Sequence, residues 1–160
     1  MTGYDQAITF EGDNEDPVFS PDGTRLLFDV QMPDDDEDIH VKWADNRSPK
    51  ELLFNYPGGQ DGLEWLPGDT ILFESSGEAR DILLAILGDS VEIVPYLRTP
   101  FAEYDARVSP DGTLVTYESN ESGGAETWLR TFPEPTGKWR VSNGLGVDPR
   151  WAPDGSGVYF

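Results

Sequence analysis

Apolar and polar positions along this chain alternate in short runs of period two, and the runs are separated by stretches rich in glycine, proline and aspartate. The clearest run, Arg25-Leu-Leu-Phe-Asp-Val30, follows the turn Phe19-Ser-Pro-Asp-Gly-Thr24. Proline sets φ for the first central position of such a turn, aspartate tolerates the next, and glycine supplies the positive φ that reverses the chain. The pattern predicts strands over residues 16–20, 25–30, 39–44 and 51–55. It predicts a second set over 62–66, 70–74, 81–86 and 91–96, and a third over 105–109, 114–118, 126–130 and 138–142. A last set starts at 148–152 and stops inside its second strand at Phe160. Over 78–87 a short amphipathic helix competes with the strand, because Ala79 to Ala85 are good helix formers, but a lone helix would break the period. The second turn, Pro67-Gly-Asp69, has its glycine one place early, which suits a type II turn.

The turn prolines Pro21, Pro67, Pro110 and Pro153 are 46, 43 and 43 residues apart. A period in the forties with one turn and one set of strands per copy is the mark of a blade-by-blade β-propeller. The expected fold class is therefore all-β: a partial β-propeller of four-stranded antiparallel blades, with three full repeats, an N-terminal strand and a C-terminal half blade. The repeats span about 16–55, 61–97, 103–143 and an incomplete 147–160, in a single array over 1–160. Residues 6–10 have the register of an outer, closing strand. Gly 17, Pro 13 and 12% aromatic residues in 160 suit short strands joined by tight turns.

Charge narrows the partners. Asp+Glu 31 against Lys+Arg 11 gives a net charge of −20, a surface that repels nucleic-acid phosphates and anionic lipid headgroups, so neither nucleic acid nor membrane is expected. The lysine-poor, acidic balance also fits high-salt adaptation, although dispersed carboxylates serve ordinary solubility equally well. Without cysteine there is no disulfide framework and no thiolate chemistry. The first ten residues lack the basic region and apolar core of a signal peptide, and Ile82-Leu-Leu-Ala-Ile-Leu87 is far shorter than the ~20 residues of a membrane helix. A soluble chain is expected, its compartment open.

The Pro-Asp-Gly copies, with Glu126-Thr-Trp-Leu-Arg-Thr-Phe-Pro133 and Gly137-Lys-Trp-Arg-Val-Ser142 leading into Asp148-Pro-Arg-Trp-Ala-Pro-Asp-Gly155, resemble the TolB-like six-bladed β-propeller family with its WD40-like repeats. More narrowly, they look like the propellers appended to bacterial serine/threonine protein kinases. The resemblance covers nearly the whole chain and implies a binding platform or an appendage to an enzyme. It implies about six blades in a ring, more than these repeats supply. No kinase signature is present: there is no glycine-rich nucleotide loop with its lysine, no His-Arg-Asp and no Asp-Phe-Gly.

Candidate chemistry lies mainly in carboxylates. The first residue of each innermost strand is Asp16, Gly62 with Asp61 beside it, Asp105 and Asp148. In a propeller these would ring the channel mouth and draw in a cation or a basic peptide, or each would cap a turn or bond the neighbouring blade. The acidic loop ending in Asp34-Asp-Asp-Glu-Asp38 offers Asp34, Asp36 and Asp38 as oxygen ligands for Ca2+, against a plain solvated loop; it lacks the glycine and distal glutamate of an EF-hand. No other cofactor is expected. His40, the one histidine, is read as a surface or inter-blade residue, and Ser20 and Ser109 as turn residues, so no nucleophile–base pair is formed. Trp43, Trp65 and Trp151, with Phe19 at the place of the last two, are expected in the blade core. The functional expectation is a non-catalytic protein-interaction or sensor module, acidic, with a protein or peptide partner, a basic one included, and self-association of a half-ring that closes it. The alternative is the propeller part of an enzyme, a serine/threonine kinase or a prolyl-oligopeptidase-like peptidase, whose catalytic domain lies elsewhere.

Overall fold

Turn chemistry sets the frame. In the computed structural model, which describes residues 8–9, 12–31, 37–77 and 79–160, the carboxylate of Asp22 accepts the Thr24 N–H at 3.0 Å and both the Ser20 and Thr24 hydroxyls, while Ser20 Oγ accepts the Arg25 N–H at 2.9 Å. Asp111 repeats the arrangement with Ser109 and Thr113. Gly23, Gly112 and Gly155 sit at φ 69°, 71° and 72°, in the left-handed region each turn requires. In the second turn Gly68 and Asp69 are both left-handed, at φ 82° and 54°, where a type II turn requires a positive φ only at the glycine.

Each turn starts a meander that forms its own sheet. The first contains β1 (Asn14–Phe19), β2 (Arg25–Gln31), β3 (Glu37–Trp43) and β4 (Glu51–Phe54), hydrogen-bonded in that order and antiparallel throughout. The second holds β5 (Gln60–Leu66), β6 (Thr70–Ser76), β7 (Arg80–Ile86) and β8 (Glu92–Leu97). The third holds β9 (Glu103–Val108), β10 (Leu114–Ser119), β11 (Glu126–Thr131) and β12 (Lys138–Arg140). A two-stranded sheet of β13 (Arg150–Trp151) and β14 (Val158–Tyr159) follows. Neighbouring sheets touch through their first strands, β1 with β5, β5 with β9 and β9 with β13.

The core lies between sheets. Leu27 and Ile39 of the first sheet meet Trp65, Ile71, Phe73, Leu83 and Ala85 of the second. Leu72, Ile82, Leu84 and Tyr96 on the opposite face of the second sheet meet Ala106, Val115 and Tyr117 of the third. A central sheet buried on both faces needs continuous rather than alternating apolar runs. That decides Arg80–Ile86 against the helix, since β7 pairs with both β6 and β8 and sends Leu83 and Ala85 one way, Ile82 and Leu84 the other. No helix among the described residues is long and apolar enough to cross a membrane.

One core expectation fails. Trp65 is only 6% exposed and Trp43 and Trp151 are half-buried, but Phe19 is 58% exposed. The residue two places before each turn proline packs on the preceding sheet. Trp65 lies against Leu27 and Ile39, Val108 against the second sheet's cluster, and Trp151 Nε1 donates to the Arg107 carbonyl at 2.9 Å. Among the described residues no sheet precedes Phe19 to receive it. Of the closing strand expected over 6–10, only Ile8 and Thr9 lie among the described residues. Neither is in a strand; Ile8 packs on Leu26, Phe28 and Val30, and its carbonyl accepts from Lys42 Nζ at 2.7 Å.

Candidate functional site

The innermost strands carry a bulge of one extra residue, between Glu15 and Val18 in β1, Gly62 and Glu64 in β5, and Tyr104 and Arg107 in β9. Asp16 and Asp105 occupy the bulge at φ 42° and 48°, and Asp148 stands at φ 48° just before β13. Aspartate is among the few non-glycine residues that enter this region readily, so backbone conformation alone gives a reason for its presence. Asp16, Asp61, Asp105 and Asp148 all line one cavity of about 380 Å3, together with Glu74, Arg107 and Arg150. The structure thus brings the four sequence-chosen carboxylates together.

Behind this ring runs a second row that sequence reasoning missed. Asp29, Glu74 and Glu118 hold equivalent places in β2, β6 and β10, each the fifth residue after its turn. Asp29 Oδ1 accepts the Gly62 N–H at 2.9 Å, Glu74 Oε2 accepts the Asp105 N–H at 3.3 Å, and Glu118 accepts the Asp148 N–H. Every carboxylate of the row therefore clasps the main chain of the next sheet at the cavity's edge. Burial pushes the Asp29 carboxyl up to about 8, against the pull of the Gly62 hydrogen bond, and Asp61, Asp16 and Glu37 push the same way. Burial likewise raises Glu118, and it raises Glu74 to about 8 with Asp61 adding to the effect. Gly62 stands where its neighbours have aspartate because a Cβ there would lie 2.3 Å from Leu27 Cδ2.

Guanidinium groups complete the electrostatics. Arg80 bridges Asp61 at 2.9 Å and Glu74 at 2.7 Å. Arg107 Nη1 donates to the Ala106 carbonyl at 2.8 Å, and Arg150 Nη1 to the Pro149 carbonyl at 3.0 Å. Burial lowers the Arg107 pKa, and the Arg150 charge lowers it further. The mouth is thus of mixed charge rather than purely acidic.

The remaining candidates lie elsewhere. Asp34 and Asp36 are outside the described residues, and Asp38 is buried with its Oδ1 accepting from Asn55 Nδ2 at 2.7 Å. Among the described residues no group of three or more His, Cys, Asp or Glu is placed to hold a metal ion. His40 stacks beside Phe28 within the first sheet, with Nδ1 3.2 Å from the Asp38 carbonyl.

No family model matches the sequence, and no curated protein matches it. Solved structures do. TolB from Acinetobacter baumannii superposes with a TM-score of 0.79 at 22% identity, over 96% of this chain and 39% of that one. A protein assigned as TolB in Agrobacterium tumefaciens superposes at 0.71 with 18% identity, over 83% of this chain and 50% of that one. The fold is a TolB-type β-propeller. As expected from the repeat, it is a partial one, and the chain spans half or less of the length of the propellers it matches. The four sheets are its blades, and the carboxylate cavity lies where the innermost strands of successive blades begin.

Proposed function

We propose that this propeller is a non-catalytic interaction module that receives a cationic group of a protein or peptide partner at the carboxylate-lined mouth of its inner strands. The observation that supports this is the convergence of Asp16, Asp61, Asp105 and Asp148, from four successive blades, on one open cavity. A concave site lined by one predominant charge focuses field lines and concentrates an opposite charge there. Titration calorimetry with a blocked oligoarginine peptide tests the proposal. Binding that weakens with salt and in the Asp105→Asn, Asp148→Asn double variant supports it; absence of binding at low salt refutes it.

Two finer readings belong with this one. The motifs Glu126 to Pro133 and Gly137 to Ser142 support an origin beside a bacterial serine/threonine kinase domain, which the flanking reading frame tests. The exposed Phe19 supports self-association, because its three repeat equivalents each pack on a neighbouring blade. Light scattering at micromolar concentration tests this reading, and a monomer would refute it.

A further inference from the structure

Arginine in this chain has carboxylates to spare, with Asp+Glu 31 against Lys+Arg 11. Most arginines use them. Arg25 pairs with Asp69, Arg47 with Asp45, Arg80 with Asp61 and Glu74, Arg98 with Asp81, and Arg140 with Glu126. Arg130 lies instead against the Tyr117 hydroxyl and the Pro135 carbonyl. The two that line the cavity are different. Arg107 makes no ion pair within 4.0 Å among the described residues, and Arg150 makes only the long one to Asp148 at 3.9 Å; the Glu64 carboxylate, held by the Val108 N–H at 2.8 Å, attracts both without bonding either. Each spends a donor on the carbonyl of the residue before it, out of the five that a guanidinium carries. They hold the same place, three residues before Pro110 and Pro153, on adjacent inner strands, so two like charges stand side by side facing one opening.

Two neighbouring guanidiniums with donors to spare form a fork for an oxyanion. The surrounding aspartates repel a free anion, so an anion enters here only as part of a ligand that also brings cations. We propose that Arg107 and Arg150 form a carboxylate subsite in the mouth, and that the ligand is a peptide segment in which an acidic side chain is flanked by basic ones. The acid lies on the arginine fork and the bases face Asp16, Asp61 and Asp105. This rests on the proposed function above and specifies the ligand of the same cavity.

Calorimetry with two blocked tripeptides separates the proposals. Arginyl-aspartyl-arginine and arginyl-asparaginyl-arginine differ only in the central charge. Attraction by the aspartates alone favours the asparaginyl peptide, whose net positive charge is larger. The arginine fork reverses that order, with the aspartyl peptide tighter by about tenfold, one charge-assisted bidentate contact. In Arg150→Gln, a side chain that is 48% exposed and whose loss leaves the core intact, the preference falls away and the asparaginyl peptide binds at least as well. Far-ultraviolet circular dichroism of that variant verifies its fold. An asparaginyl preference in the wild-type protein overturns the carboxylate subsite while leaving the cationic mouth standing. An aspartyl preference that persists in Arg150→Gln also overturns the subsite. Absence of heat with both peptides at millimolar concentration overturns both readings.

Discussion

Replacing Asp29 by asparagine should make this protein more stable near neutral pH and flatten its response to alkali. Asp29 is 2% exposed, accepts the Gly62 N–H with one oxygen and has no partner for the other among the described residues. Its folded pKa is raised from 3.8 to about 8. A carboxyl raised in this way is protonated in the fold and ionised in the unfolded chain between the two values. The stability it carries is complete below the unfolded pKa and is lost as pH rises through the folded one, at about 1.4 kcal/mol per pH unit. At pH 7 the upper limit of that loss is about 4 kcal/mol; relaxation of the surroundings returns roughly half, leaving about 2 kcal/mol. Asparagine keeps the amide oxygen for Gly62 and removes the titration. Urea unfolding followed by tryptophan fluorescence is the assay, since Trp65 sits in this seam. At about pH 5 the two proteins should differ little, and at about pH 8 the variant should be the more stable by about 2 kcal/mol or more. Equal pH slopes, or a variant less stable at about pH 8, would mean that Asp29 is ionised in the fold and that burial does not govern it.

Three further outcomes follow from the same contacts. Gly62→Ala places a Cβ 2.3 Å from Leu27 Cδ2 and should lower the urea-derived stability by about 1–3 kcal/mol through overpacking. Trp65→Ala empties the seam between the first two blades and should cost about 3–5 kcal/mol, whereas Phe19→Ala, at the equivalent but exposed position, should stay within about 0.5 kcal/mol in the same assay run dilute enough for the chain to be monomeric. At the acid end the sign reverses. Hydrogen bonds from Ser20 and Thr24 hold Asp22 down at about 2, and those from Ser109 and Thr113 lower Asp111, so stability present above the ordinary aspartate pKa is lost as pH falls through the folded values. An Asp22→Asn, Asp111→Asn double variant should show a shallower acid limb in a pH series of thermal melts.

Much of the architecture was legible because its punctuation is local. β2, β4, β6, β10, β11 and β12 begin at Arg25, Glu51, Thr70, Leu114, Glu126 and Lys138, where the alternation places them. The first three inner strands start at Asn14, Gln60 and Glu103, each two residues before the alternation places them. An aspartate that reads as the end of a loop is there a bulge, and the ladder resumes on its other side. The cavity's aspartates were legible from the repeat, since all four blades supply one. Arg107 and Arg150 were not, because their place is filled by Val18 and Glu64 in the first two blades and shows no common residue type. The clasping row left a usable trace: Asp29, Glu74 and Glu118 are each the acidic residue that interrupts or ends an otherwise apolar central strand. A charge in such a place needs a buried partner, and the nearest unsatisfied donor belongs to the next blade. Phe19 was misplaced because a repeat predicts equivalent positions, whereas burial also depends on a neighbour being present.

The bulged aspartate joins two mechanical roles in one residue. Asp105 faces the cavity with its side chain while its amide is held by Glu74 of the blade before it. The wall of the mouth and the seam between sheets are therefore the same backbone, with no intervening loop to absorb strain. Such a mouth widens by the splaying of its sheets rather than by the swing of a lid. A guest wedged between Asp61 and Asp105 would load the amide of Asp105 that Glu74 holds, so occupancy of the mouth and tightness of the seam would change together.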